Sequence, residues 1–150
     1  MEIEQVLLKN GLIDEDQCQQ AVEQADGRRI DRVLVEMGLL SEEQALKAFA
    51  EELGMEYLEL QNFEIDRELV ESFPTGPIFR HQLLPLDRFN GSVRVATSDP
   101  FDLEALDELA ALSGLQLEPV LARHEDVSEL IKIHLGVGGD TVNQLVAQRT

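Results

Sequence analysis

The stretch Asn10-Gly11-Leu12-Ile13-Asp14-Glu15-Asp16-Gln17 decides the fold of the first third of this chain. It returns as Met37-Gly38-Leu39-Leu40-Ser41-Glu42-Glu43-Gln44. An apolar segment with helical character precedes each copy, Val6-Leu7-Leu8 in the first and Val33-Leu34-Val35 in the second. Because an internal repeat fixes architecture before any single residue does, residues 1–55 are predicted to form a small four-helix bundle, built from a duplicated helix-turn-helix unit.

The turn within each copy has a recognisable pattern of residues. Gly11 and Gly38 fit the position just after a helix, where the chain turns through positive φ at little cost to glycine. Asp14 and Ser41 then fit the N-cap of the next helix, and each has a glutamine three residues further on, as in a capping box. This pattern indicates structure and says nothing yet about chemistry.

The pattern of residues changes after residue 55. Residues 56–60 alternate and predict a strand, and short helices are predicted over 66–72 and 77–82. Two alternating segments, 83–89 and 92–97, flank Asn90-Gly91, which is the strongest hairpin signal in the chain.

The rest of the second half predicts helix, strand and helix. Asp99 is predicted as an N-cap, with Pro100 at the first helical position and Gly114 ending the helix. Residues 115–122 include a proline and predict an edge or bulged strand, and 124–135 predict the last helix. Residues 56–135 are therefore expected to form an α+β domain with a short, mainly antiparallel sheet. Residues 136–150 are predicted to be a linker, with Asp140-Thr141 able to cap one more short helix.

Composition limits the functional classes. The 150 residues include 30 acidic and 12 basic side chains, giving a net charge of −18, and this charge argues against nucleic acid or an anionic membrane as the partner. No apolar run is long enough to span a bilayer, and the acidic N-terminus lacks a signal-peptide pattern. With Cys18 as its single cysteine, the chain is expected to be cytoplasmic, without an internal disulfide and without direct membrane insertion.

No catalytic set is visible. His81, His124 and His134 are far apart and lack metal-type spacing with Cys18, which lies on the apolar stripe of its helix. Capping explains Asp99 and Asp102. The glycine-rich run 136–141 has no lysine, which a phosphate-binding loop needs. We therefore expect neither a metal site nor an enzyme.

One basic spot remains, formed by Arg28, Arg29 and Arg32 between the repeats. It has two interpretations. The first is a solvated helix start with local ion pairs to Asp26 and Asp31. The second is a small anion site, in which guanidinium groups bind phosphate or a guanine edge.

The doubled Gly-Leu-Ile/Leu-x-Glu-x-Gln unit resembles the N-terminal region of the bacterial type II secretion and type IV pilus assembly ATPases, including the MshEN type. So do the segments 53–60, 84–86, 93–96, 98–107 and 114–122, in this order. The resemblance covers residues 3–136. It implies the front end of a hexameric motor whose Walker motifs lie further along a longer chain, so the 150 residues are expected to be a non-catalytic N-terminal fragment or a stand-alone relative.

The resemblance implies two functions. The first is docking onto the cytoplasmic part of an inner-membrane secretion or pilus assembly protein, and coupling that protein to the remainder of the ATPase chain. The alternative is a cyclic di-GMP sensor, since one branch of the family binds this nucleotide through its repeat.

The resemblance also implies a ligand site, which would use Arg28, Arg29, Leu34, Gly38 and Leu39. The sensing branch opens each copy with Arg-Leu-Gly and closes it with Gln. Here Arg29-Ile30-Asp31 and Glu2-Ile3-Glu4 stand at the openings, and Ala25 and Glu52 at the closings. Docking is therefore the leading hypothesis, because glutamate repels a doubly anionic ligand and lacks the amide that would read guanine.

Overall fold

A computed structural model describes residues 2–136. The chain divides into two compact units, Met1–Tyr57 and a second that begins at Leu58. None of the described helices is both long and apolar enough to cross a membrane. The predicted linker 136–150, apart from Gly136, and the short helix predicted at Asp140-Thr141 lie outside the described residues.

The first unit is the predicted bundle of four short helices. They are α1 (Ile3–Lys9), α2 (Glu15–Ala25), α3 (Ile30–Glu36) and α4 (Glu42–Leu53). Each helix turns one apolar stripe inward, so that Leu7, Leu34, Leu46 and Phe49 are almost completely buried. Tight turns join the helices within each copy.

Both copies build the same turn. Gly11 and Gly38 have φ of 70° and 79°, as predicted from their position after a helix. The residue after each glycine closes the helix, because Leu12 N–H donates to Leu7 O and Leu39 N–H donates to Leu34 O, both at 3.0 Å. Complete capping boxes then start α2 and α4.

The second unit packs helices on a small sheet. Its elements are α5 (Arg67–Glu71), α6 (Thr75–His81), β1 (Leu84–Phe89), β2 (Ser92–Thr97), α7 (Leu103–Ser113), β3 (Leu117–Leu121) and α8 (His124–Leu135). The strand order is β1-β2-β3. The hairpin at Asn90-Gly91 is confirmed, with positive φ at both residues, and Pro119 lies on an edge strand as predicted. The α+β class is confirmed.

Three details of the prediction are wrong. The sheet is mixed rather than mainly antiparallel: β1 and β2 are antiparallel, whereas β2 and β3 are parallel because α7 crosses between them. Residues 56–60 form no regular strand, although Leu58 N–H donates to Leu121 O. The N-cap of α7 is Asp102 rather than Asp99, because the Asp99 carboxylate instead accepts the Phe101 N–H at 3.0 Å in a local turn.

Candidate functional site

The predicted site residues lie within α3 and just beyond its two ends. Arg28 precedes the helix, and its side chain is about half exposed. Its Nη1 donates to Glu36 Oε1 at 2.9 Å, and its Nε donates to Ala25 O at 3.2 Å. Arg28 therefore links the end of α2 to the end of α3, which is a structural use of its charge.

Arg29 is the more constrained of the two arginines. It is the N-cap residue of α3, and its Nε and Nη2 donate to the two carboxylate oxygens of Asp31 at 3.0 and 2.7 Å. The side chains of Arg29 and Asp31 are 18% and 7% exposed. A bidentate, poorly solvated pair of this kind is a strong charge-assisted contact, so the protein's own carboxylate already holds this side of the Arg29 guanidinium.

The apolar and glycine members of the predicted set lie elsewhere. Leu34 is completely buried in the core of the first unit, where its side chain packs against other helices. Gly38 is exposed and Leu39 half-buried, and both lie past the other end of α3. One whole helix, about 10 Å long, separates them from Arg29. The five residues therefore lie along one helix of the repeat, from just before its first residue to just after its last.

The first copy carries acidic residues where the second carries this pair. Glu2 is exposed and Glu4 half-buried. Cys18 of α2 is half-buried rather than buried, and burial raises the pKa of its thiol, with smaller contributions from Glu4 and Glu15. A thiol with a raised pKa remains protonated and is a poor nucleophile. The opening of the first copy therefore has carboxylates where the second copy has Arg29 and Asp31, and its cysteine is not activated.

Two side-chain clusters of the second unit were not predicted. In the first, Glu108 of α7 accepts from Arg80 and contacts Nε2 of His81 on α6 at 3.0 Å. The hydrogen bond from His81, helped by Arg80, lowers the pKa of Glu108. No local pattern in the sequence indicates this cluster, because α6 and α7 meet only through tertiary packing.

The second cluster had a signal in the sequence. Arg94 donates to both carboxylate oxygens of Asp87, and its guanidinium lies 4.7 Å from the ring centroid of Phe89 and 5.6 Å from that of Phe63. Asp87 and Arg94 face each other across the hairpin. The Asn90-Gly91 turn fixes this register, so the cross-strand pair could have been predicted.

No constellation of catalytic type emerges from the described residues. Residues 2–136 contain no group of three or more His, Cys, Asp or Glu side chains placed to hold a metal ion. Burial lowers the pKa of His134, whereas His124 contacts Ser98 through a long 3.5 Å interaction. By its fold, the chain thus belongs to the class of proteins that join a duplicated helix-turn-helix repeat to a small α+β unit.

Within this class the family is defined. Residues 53–139 match the MshEN domain family, and the chain belongs to it. The match covers the second unit almost entirely and leaves out most of the helical repeat.

Relatives extend the similarity to the repeat. The chain is 26% identical to the type IV pilus assembly ATPase PilB of Myxococcus xanthus (strain DK1622) over 144 residues, which are 95% of this chain and 25% of PilB. It is 27% identical to PilB of Acinetobacter baylyi (strain ATCC 33305 / BD413 / ADP1) over 132 residues, which are 85% of this chain and 22% of that protein. The chain therefore spans about a quarter of the length of these curated relatives.

Solved structures agree with this assignment. A structure of MshE with cyclic di-GMP superposes with a TM-score of 0.79 at 28% identity, covering 89% of this chain and 99% of that one. The N-terminal domain of XpsE superposes with a TM-score of 0.66 at 21% identity, covering 87% and 92%, and shows the fold alone. The predicted resemblance to the N-terminal domains of secretion and pilus ATPases is confirmed.

Proposed function

We propose that this chain is a non-catalytic docking and regulatory domain of a type II secretion or type IV pilus assembly ATPase. It would bind the cytoplasmic part of an inner-membrane assembly protein, be held at the inner membrane through that partner, and couple it to the remainder of its own ATPase chain. The similarity to PilB supports this proposal, because it runs through both the helical repeat and the α+β unit.

We favour docking over nucleotide binding because of the ion pair between Arg29 and Asp31. A ligand phosphate would have to displace a poorly solvated carboxylate that already makes two hydrogen bonds to the guanidinium. The displaced Asp31 would then be left as an unpaired buried charge, which is costly. The first copy adds acidic residues instead of a second arginine.

The exposed face of α2 is the docking surface that we favour. Asp16 and Glu23 lie two turns apart on this helix, both exposed, and Val22 beside them is 47% exposed. Exposed acidic residues next to an apolar side chain suit a partner surface that is basic at its edge and apolar within it.

A binding measurement tests the docking proposal. The double variant Asp16→Lys/Glu23→Lys should weaken binding to the purified cytoplasmic part of the inner-membrane assembly protein at least about tenfold in biolayer interferometry, since like charges would then meet at the interface. The variant Glu104→Lys/Asp107→Lys makes the same change of charge on exposed positions of α7 and serves as the control. Equal losses in both variants would reduce the effect to net charge and contradict docking through α2.

A second candidate, the cyclic di-GMP sensor, is favoured by one observation, the similarity to MshE solved with this nucleotide. Calorimetric titration of cyclic di-GMP into the chain separates the two. A sensor gains stability by mass action, about 2.7 kcal/mol at 100 times the Kd, and should lose the gain in Arg29→Ala but keep it in Arg32→Ala. We expect no heat and no thermal shift. Micromolar or tighter binding would make the chain a second-messenger receptor.

A further inference from the structure

The chain contains two Asn-Gly sequences, which are open to a spontaneous reaction between side chain and backbone. They are Asn10-Gly11 in the first repeat and Asn90-Gly91 at the tip of the β1–β2 hairpin. In this reaction the glycine nitrogen attacks Cγ, the side-chain carbonyl carbon of the asparagine. Glycine favours the attack because it has no side chain to shield its nitrogen or to restrict its backbone. All four residues are exposed, so access to water does not distinguish the two sequences.

Hydrogen bonds restrain both reacting groups of Asn10-Gly11. The Asn10 side-chain Nδ2 donates to Val6 O at 2.7 Å, and Gly11 N–H donates to Leu8 O at 3.0 Å. Both acceptors are carbonyl groups at the end of α1, which the helix itself leaves without partners. The attack therefore requires that both hydrogen bonds break and that the end of α1 opens.

The hairpin tip lacks both restraints. Within residues 2–136, the Asn90 side chain makes no hydrogen bond, and Gly91 N–H donates to no acceptor. Their φ values of 53° and 80° are those of a type I′ turn. Type I′ and type II′ turns differ in the orientation of the central peptide, so this peptide can rotate while Phe89 and Ser92 remain paired. The rotation brings the Gly91 nitrogen to Cγ of Asn90 and breaks no hydrogen bond of either group.

We propose that Asn90 is a site of spontaneous deamidation and isomerisation, and that the fold protects Asn10 from the same reaction. The Gly91 nitrogen gives up its proton and bonds to Cγ of Asn90. The bond between Cγ and Nδ2 breaks, and the side-chain nitrogen leaves with that proton as ammonia. One water molecule then opens the five-membered succinimide at either carbonyl, so that residue 90 becomes aspartate or isoaspartate. The net change is the loss of ammonia and the gain of water.

The two products affect the hairpin differently. Both add a negative charge at the tip. Aspartate leaves the main chain unchanged, and Asp-Gly suits a type I′ turn as Asn-Gly does. Isoaspartate lengthens the main chain by one methylene group, which a two-residue turn does not accommodate. We therefore expect isoaspartate to loosen the pairing of Phe89 with Ser92, which closes the hairpin.

Ageing of the full 150-residue chain, followed by peptide mass spectrometry, tests the proposal. One sample is kept folded at mildly alkaline pH, and a parallel sample is unfolded in urea. In the folded protein Asn90 should convert at least about tenfold faster than Asn10, because two hydrogen bonds protect Asn10. In urea the two rates should approach each other. The variant Asn90→Gln should abolish the conversion at the hairpin, since glutamine needs a larger ring, and should leave the slow conversion of Asn10 unchanged.

Several outcomes would overturn the proposal. Equal rates at the two asparagines of the folded protein, or a faster rate at Asn10, would contradict protection by the end of α1. An Asn90 that converts in urea and is stable in the folded protein would mean that the hairpin itself protects it. The same ratio of rates with and without urea would assign the difference to sequence neighbours rather than to the fold. The predicted loosening is tested separately, because amide hydrogen exchange at Ser92 should be faster in the purified isoaspartyl form than in the aspartyl form, and equal exchange would contradict it.

Discussion

The two copies of the helical repeat share their turns and differ in how they begin. Both close the first helix through glycine at positive φ, with a 3.0 Å bond from the next N–H, and both start the following helix with a capping box. At the opening, however, the first copy has Glu2 and Glu4, whereas the second has the bidentate pair of Arg29 and Asp31.

This difference separates what folds the repeat from what distinguishes its copies. Turns, caps and core leucines occupy matching positions because every helix-turn-helix unit needs them. The openings differ. The first copy has no arginine there, and in the second the Arg29 guanidinium is bound to Asp31. The predictions that follow compare matched positions, beginning with the largest expected effect.

Truncation of the matched core leucines should have the largest effect. Leu7 and Leu34 occupy the same repeat position, and both are completely buried. We expect Leu7→Ala and Leu34→Ala each to lower the free energy of unfolding by about 2–5 kcal/mol, measured by urea denaturation. Val35→Ala, at an exposed neighbouring position, should change it by less than about 0.5 kcal/mol.

The Leu34→Ala variant tests whether Leu34 is a core residue or a ligand-contacting one. If Leu34→Ala were as mild as Val35→Ala, the buried position of Leu34 would be wrong and a role at the surface would become credible. A large loss of stability in both leucine variants would instead show that both positions belong to the buried core of the bundle.

The buried ion pair should show the second largest effect and should separate the copies. Asp31→Asn leaves the poorly solvated Arg29 guanidinium without its carboxylate, so we expect a loss of about 2 kcal/mol, below the 3–5 kcal/mol typical of fully buried pairs. Glu4→Gln, at the matched position of the first copy, should cost less than about 0.5 kcal/mol. Thermal unfolding measures the stability of both variants. Equal losses of stability would contradict a larger contribution from the Arg29–Asp31 pair.

Removal of the capping side chains should cost less and should be equal in the two copies. Asp14 accepts the Gln17 N–H at 2.8 Å, and Ser41 accepts the Gln44 N–H at 3.1 Å. We expect Asp14→Ala and Ser41→Ala each to lower the free energy of unfolding by about 1 kcal/mol in chemical denaturation. The exchanges Asp14→Ser and Ser41→Asp keep the cap and should be nearly neutral. A large cost for either exchange would indicate a role beyond capping.

The sequence predicted features that depend on neighbouring residues. Gly11, Gly38 and Asn90-Gly91 each specify a turn through their own backbone preferences, and the turns form where predicted. Helix α8 has the predicted bounds, because its apolar period and flanking residues agree. The matched capping boxes were likewise evident from spacing alone.

Features that the local pattern leaves ambiguous, or that depend on distant residues, were missed. Asp99 and Asp102 both suit an N-cap; in the structure Asp102 caps α7, because the Asp99 carboxylate accepts the Phe101 N–H in a local turn. The parallel pairing of β3 with β2 was missed although a helix was predicted between these strands, and such a crossover joins parallel strands. At the candidate site, by contrast, a local ion pair with Asp31 was one of the two interpretations of the arginines, and Arg29 does bind the Asp31 carboxylate. The family resemblance predicts the fold, whereas which of the two interpretations of these arginines holds depends on side-chain positions that the sequence does not specify.

The smallest effects are expected at the position where the copies carry opposite charges. The Lys9 ammonium lies 2.9 Å from the Glu52 carboxylate. Glu36 occupies the position of Lys9 in the second copy, and its carboxylate lies 2.9 Å from the Arg28 guanidinium. Each of these side chains is at least about one-third exposed. Water and salt screen such pairs, so Lys9→Met and Glu36→Gln should shift the thermal midpoint at pH 7 less than any variant above. The hydrogen bond to Glu52 raises the pKa of Lys9. The contribution of Lys9 is therefore present below pH 10.5 and is lost as the pH rises through the folded-state pKa. A marked effect of either variant at neutral pH would mean that the reversal of charge between the copies is functional rather than tolerated.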